Sequence, residues 1–157
     1  MLKSMIFKVL NKSKNMIDFV NKTSFIPSRN VLEILESIKN EIDSKNIVEL
    51  VFVNDSEIKN LNSTFLNKNY PTDVLSFPLE SEICDVLGSV VISIDRAFFA
   101  ARENNHPVEH EIIILFVHGI LHLKGFNHES DNGEHRKKES EILKKYNINI
   151  GLIDRVN

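Results

Sequence analysis

The stretch from Pro107 to Gly125 limits what this chain can fold into more than any other. Ile112, Ile113, Ile114, Leu115, Phe116 and Val117 follow one another without a polar break. A helix built from them is apolar on nearly every side, and a helix with so little polar surface is buried. Pro107 suits its first turn, where the missing N–H costs nothing, and Glu109 and Glu111 then lie near the positive end of the helix dipole. Gly125 is placed to end the helix in a left-handed conformation. The run falls short of the roughly 18 to 20 apolar residues that a membrane span needs. It is expected to be the core of a soluble domain, wrapped by other elements.

With 157 residues the chain has room for one domain with a substantial core. Residues 1–15 are rich in Lys, Asn and Ser and read as a loosely attached N-terminal extension; residues 16–157 read as the domain. The early apolar residues Leu2, Met5, Ile6, Phe7, Val9 and Leu10 are interrupted by Lys3 and Lys8 and precede no small-residue cleavage site, unlike a signal peptide. A first strand is expected from Met16, through Ile17, Phe19 and Val20. Ser28 suits the N-cap of a helix reaching Ser44, because Val31, Leu32, Ile34, Leu35, Ile38 and Ile42 share one face. Ile47 to Val53 reads as a buried strand, and Asp55 or Ser56 as the cap of a helix through Ile58, Leu61 and Phe65. A loop from Asn67 to Thr72 leads to a strand at Val74 to Phe77, stopped by Pro78. Val86 to Ile94 reads as a central strand, and Asp95 as the cap of a helix ending near Asn104-Asn105. A final helix from Asn132 to Tyr146 is polar except at Ile142 and Leu143. This order predicts an α+β single domain with one mixed sheet of about four strands flanked by helices.

The chemistry lies where the buried helix ends. Four residues advance an α-helix by about 400°, so His118 and His122 share one face, one turn apart. Gly125 breaks the helix, and the chain can fold back so that His128 reaches the same point. Three neutral imidazoles with an open fourth position form the ligand set of catalytic zinc sites, although nickel or another divalent ion fits the same ligands. A closed structural site would need a fourth protein ligand. Cys84, His106, His110 and His135 are the candidates, and none has a compelling spacing. His106 and His135 read as exposed, and His110 more readily lies outside the site than at its border. Glu111, seven residues before His118, is either a partner for a ligand histidine or a helix-start charge. The spacing matches metzincin proteases, but those carry a glutamate as general base directly after the first histidine. Here that position is Gly119, which disfavours a metallopeptidase.

Composition adds little. The net charge of −3 gives no global electrostatic case for nucleic acid. The runs Arg136-Lys137-Lys138 and Lys144-Lys145 read as the solvated face of a helix. Cys84 is the sole cysteine, so it forms no internal disulfide and builds no thiolate cluster. A reducing, cytoplasmic setting is expected, with neither a membrane nor a disulfide-linked partner.

The segment HGILHLKGFNH from His118 to His128 resembles the H-G-x-L-H-L-x-G-[YF]-D-H pattern of the YbeY family of bacterial metal-dependent endoribonucleases. PTDVLSFP from Pro71 to Pro78 matches a second family segment, and Leu87 to Ser93 is similar to the family's L-G-D-I-V-I-S strand. The resemblance runs from about Met16 to Asn147. It implies a single-strand-directed endoribonuclease acting in ribosomal RNA maturation and ribosome quality control, with RNA and the small ribosomal subunit as partners. The implied reaction is hydrolysis of a phosphodiester by a zinc-activated water, with His118, His122 and His128 as metal ligands. Within the matching segments, Asp73 and Asn127 are candidate orienting groups, although Asp73 reads equally as a turn residue. Lys68 is a candidate phosphate contact, against a solvated loop lysine. Three positions depart from the pattern: Leu66 stands where the family has an arginine, Ser89 and Asn127 where it has aspartates. An arginine clamps a phosphodiester and a leucine cannot. A ribosome-associated zinc protein with weak or absent catalysis is therefore the alternative expectation.

Overall fold

A computed structural model describes residues 16–80 and 84–155. The expected N-terminal extension, residues 1–15, lies outside the described residues. Four strands, β1 (Ile17–Asn21), β2 (Ile47–Val53), β3 (Val74–Pro78) and β4 (Val86–Ser93), form one sheet in the order β1-β2-β4-β3. β1 and β4 run parallel to β2, and β3 pairs antiparallel with β4, so the sheet is mixed and β4 is central, as expected. The helices are α1 (Arg29–Ile42), α2 (Asp55–Leu66), α3 (Ile94–Glu103), α4 (Val108–Leu123), α5 (Glu134–Lys144) and the short α6 (Leu152–Arg155), which had no counterpart in the expected elements.

Alternation along the strands sends side chains to opposite faces. Val48, Leu50 and Phe52 of β2 join Val90 and Ile92 of β4 in the main core against α1 and α4. Val51, Val53 and Val91 pack with Ile58 of α2 and Leu75 on the other face. α4 is the hub. Every residue from Glu111 to Leu121 on it is buried, as its sequence demanded.

α4 approaches the sheet closely because Gly119 has no side chain. A Cβ there would lie 2.7 Å from Val90 Cγ1, and Ser76 Oγ donates a 2.9 Å hydrogen bond to the Gly119 carbonyl. Gly125, with φ +91, takes the left-handed conformation that ends α4.

Several helix starts differ from expectation. Asn54, rather than Asp55 or Ser56, caps α2 by accepting from Glu57 N at 2.9 Å. Ser93, rather than Asp95, caps α3. The two aspartates instead tie α2 to α3: Ser93 Oγ donates to Asp55 at 2.7 Å, and Asp55 N donates to Asp95 at 2.8 Å. Pro107 is the residue before the first turn of α4, not within it.

Candidate metal centre

His118 is buried on α4, and His122 stands one turn further on, partly buried. Their Nε2 atoms are 3.1 Å apart. Two nitrogens bound at about 2.0–2.1 Å to a tetrahedral ion would lie about 3.3 Å apart, so the spacing suits a shared cation. After Gly125 the chain turns back and brings His128 in. The ligand atoms of His118, His122 and His128 all lie within 4.8 Å of one another, so the three could hold one ion. Burial pulls the His118 and His122 imidazoles down to a pKa of about 4, with the neighbouring His128 adding to both shifts. They are therefore neutral at ordinary pH, the form that binds metal.

Glu139 of α5 stands behind His118. Its Oε1 is 3.0 Å from His118 Nδ1, and its Oε2 accepts from Ile153 N at 3.2 Å. Gly151 leaves the room that this carboxylate occupies. Burial raises Glu139 to a pKa of about 7, and a dication nearby would draw it back toward the ionised form. An ionised carboxylate only accepts, so Nδ1 carries the proton and Nε2 presents its lone pair toward the cluster. The partner for a ligand histidine is thus Glu139, not Glu111. Glu111 is fully buried in a separate network, 3.1 Å from Arg155 and 3.2 Å from His106.

His135 also departs from expectation. It is not exposed but fully buried, one turn before Glu139 on the inner face of α5. His106 is half-buried through its pairing with Glu111, and His110 stacks on His106 at 5.9 Å rather than joining the cluster. Cys84 is a partly exposed free thiol. The signal for His135 and Glu139 was present: they stand at i and i+4 ahead of Ile142 and Leu143 at i+7 and i+8, a helical stripe on which a polar residue must be buried.

The other sequence candidates are not among the groups whose ligand atoms converge there. Asn127 is exposed, and its side chain accepts from Glu129 N at 3.1 Å, shaping the loop that carries His128. Asp73 precedes β3; burial raises its pKa, and the charges acting on it are Arg96, Arg155 and Asp55. Lys68 is exposed after α2, and Leu66 is 50% exposed. Ser89 faces away from α4, on the side of Val91, and donates to Glu49 at 2.9 Å. An aspartate there would set two carboxylates side by side. The serine therefore suits its neighbour and removes no charge from the histidine cluster.

An α+β domain with a histidine cluster at the end of its central helix, fitted to a divalent cation, is the class these observations define. Comparison with known proteins narrows it. A family model described as Endoribonuclease YbeY matches residues 11–147. Proteins named endoribonuclease YbeY from Nautilia profundicola and Aliarcobacter butzleri are 50% and 47% identical, each over 89% of this chain and 98% and 99% of their own. One from Helicobacter pylori is 44% identical over 89% of this chain and 98% of its own. A solution structure from Thermotoga maritima aligns with a TM-score of 0.59 at 32% identity, covering 82% of this chain and 87% of that one. This chain belongs to the YbeY endoribonuclease family.

Proposed function

We propose that this protein is a zinc-dependent endoribonuclease that cleaves single-stranded RNA during ribosomal RNA maturation and ribosome quality control, in the cytoplasm and in contact with the small ribosomal subunit. The observation that carries the reading is the convergence of His118, His122 and His128, with Glu139 behind His118, in a chain whose relatives are named endoribonucleases. A bound divalent ion supplies Lewis acidity toward a phosphoryl oxygen and lowers the pKa of water. The chain's own part is to keep the imidazoles neutral by burial, to fix the His118 tautomer through Glu139, and to hold the three rings on a helix that the core immobilises. Asp73 and Asn127 act as orienting groups beside the site, and Lys68 meets the RNA backbone from its exposed loop. The sole cysteine supports a reducing compartment.

A metallopeptidase is disfavoured by the space around Gly119. A side chain there would run into Val90 rather than toward the histidines. A ribosome-associated zinc protein with weakened catalysis is the second reading, favoured by Leu66 where the family carries arginine. The test is cleavage of single-stranded and ribosomal RNA by the zinc-loaded protein beside His118→Ala. Cleavage lost with His118 supports the nuclease. Equal cleavage by both marks a contaminant, and no cleavage with retained cosedimentation on small subunits supports the second reading.

A further inference from the structure

Four imidazoles, not three, meet at the end of α4. The ring centres of His118, His122 and His128 lie 4.7, 5.3 and 5.5 Å apart. His135 stands 4.7 Å from His118, 4.6 Å from His122 and 5.5 Å from His128. Six edges so alike describe a near-regular tetrahedron. Imidazoles bound through nitrogens about 2.0–2.1 Å from a tetrahedral ion would have ring centres roughly 5.2 Å apart, which is the size of this cluster.

His135 is fully buried, and neither of its ring nitrogens has a hydrogen-bond partner among the described residues. Hiding both polar edges of an imidazole without a partner is unfavourable, and nearby acceptors are already engaged. Glu139, one turn on, has its oxygens near His118 Nδ1 and Ile153 N. Asp131 accepts from the backbone N–H groups of Gly133 and His135, which fixes the first turn of α5 and aims the ring inward. As the ring stands, a ligand atom of His135 lies within 4.8 Å of those of His118 and Glu139, a group separate from that of His118, His122 and His128, so joining the three requires the ring to turn. Rotation about Cβ–Cγ changes which edge of the ring faces the other three histidines and leaves its centre nearly in place. A ring kept only to fill space would not need nitrogen, and an apolar side chain would fill it at lower cost.

We propose that His135 is the fourth protein nitrogen of the metal centre, so that the resting site is a four-histidine tetrahedron rather than a three-histidine site with one corner open. The proposal rests on the three-histidine reading above and narrows it. With His135 in place the protein itself would supply the fourth donor, so His135 would compete with RNA for the ion.

The decisive measurement is X-ray absorption of the zinc-loaded full chain, which counts imidazoles around the ion. It is paired with the visible spectrum of the cobalt-substituted protein and with zinc affinity by chelator competition. Wild type is compared with His135→Phe and His135→Leu, which keep bulk and remove nitrogen. Four imidazoles in wild type and three plus an oxygen in the variants are expected, with altered cobalt bands and zinc affinity weakened by at least about tenfold. Three imidazoles plus oxygen in wild type, or variants with unchanged spectra and affinity, overturn the fourth ligand and leave the three-histidine centre standing. A wild type that retains neither zinc nor cobalt overturns both. Should the variants fail to fold, the imidazole count in wild type decides alone.

Discussion

Replacing Gly119 with alanine measures how tightly α4 is held against the sheet, and so how firmly His118 is positioned. On an exposed helix the change would stabilise by about 0.8–1 kcal/mol, through the entropy glycine loses on folding. At this position the new methyl would meet Val90 Cγ1 at 2.7 Å, Ser76 Oγ at 3.2 Å and Val74 Cγ2 at 3.3 Å. Val90 is fully buried and β-branched, so it cannot swing aside without leaving its preferred rotamer. Overpacking of this kind costs about 1–3 kcal/mol. Set against the helix gain, the net expectation is a loss of about 1 kcal/mol, or roughly 2–4 °C in Tm for a domain of this size. Val90→Ala removes the obstructing methyl and by itself costs about 2 kcal/mol. In the double variant the alanine at 119 finds room, so the pair should be more stable than the sum of the singles by about 1 kcal/mol or more. Urea unfolding with chelator present, read as midpoints at constant slope, gives all four values. A Gly119→Ala protein stabilised by the full helix increment, with strictly additive behaviour alongside Val90→Ala, would refute the close approach on which the positioning of His118 depends.

Glu139→Gln keeps an acceptor for His118 Nδ1 and should leave zinc affinity within a few-fold of wild type, whereas Glu139→Leu should weaken it by about 10- to 100-fold; equal affinities by chelator competition would remove Glu139 from the site. The metal-free protein should lose stability as pH falls from about 6.5 to about 4. His118 and His122 are held near pKa 4 and His135 near 3, so between those values and the unfolded 6.5 the unfolded chain binds more protons. Glu139, raised from 4.5 to about 7, acts oppositely and costs stability as pH rises through that window, but three imidazoles outweigh one carboxylate. Thermal melts in chelator that stay flat from pH 6.5 to 4 would contradict this. Leu66→Arg should raise RNA cleavage by roughly tenfold or more with zinc content unchanged, by supplying a phosphate clamp; an unaltered rate would show that the missing arginine is not what limits the reaction.

Much of the fold was legible because short-range periodicity carried it. β2 was read at its observed bounds, and the burial of α4 followed from its own residues, since six successive apolar side chains leave a helix no face for water. His118 and His122 were legible for the same reason: four residues on one helix fix their relation without any neighbour. Cap identity was legible at Ser28, which caps α1, but not at the starts of α2 and α3. Asn54 and Ser93 compete with adjacent aspartates of similar propensity, and the contest is settled by contacts between α2 and α3 that lie about forty residues apart in the chain.

The sequence by itself determined the buried helix, its glycine stop, the three-histidine spacing and the family pattern, because each is written within a dozen or so neighbouring residues. Only the tertiary structure decided that Gly119 is a packing requirement against Val90, that Ser89 belongs to the opposite face, that the His135 ring lies against the other three histidines, and that Glu139 stands behind His118. The reason is physical: a helix pattern says which residues share a face, while burial, pairing and the partners of a polar group depend on what that face is pressed against. Glu139 meets His118 across 21 residues of chain, a distance over which local preference has nothing to say.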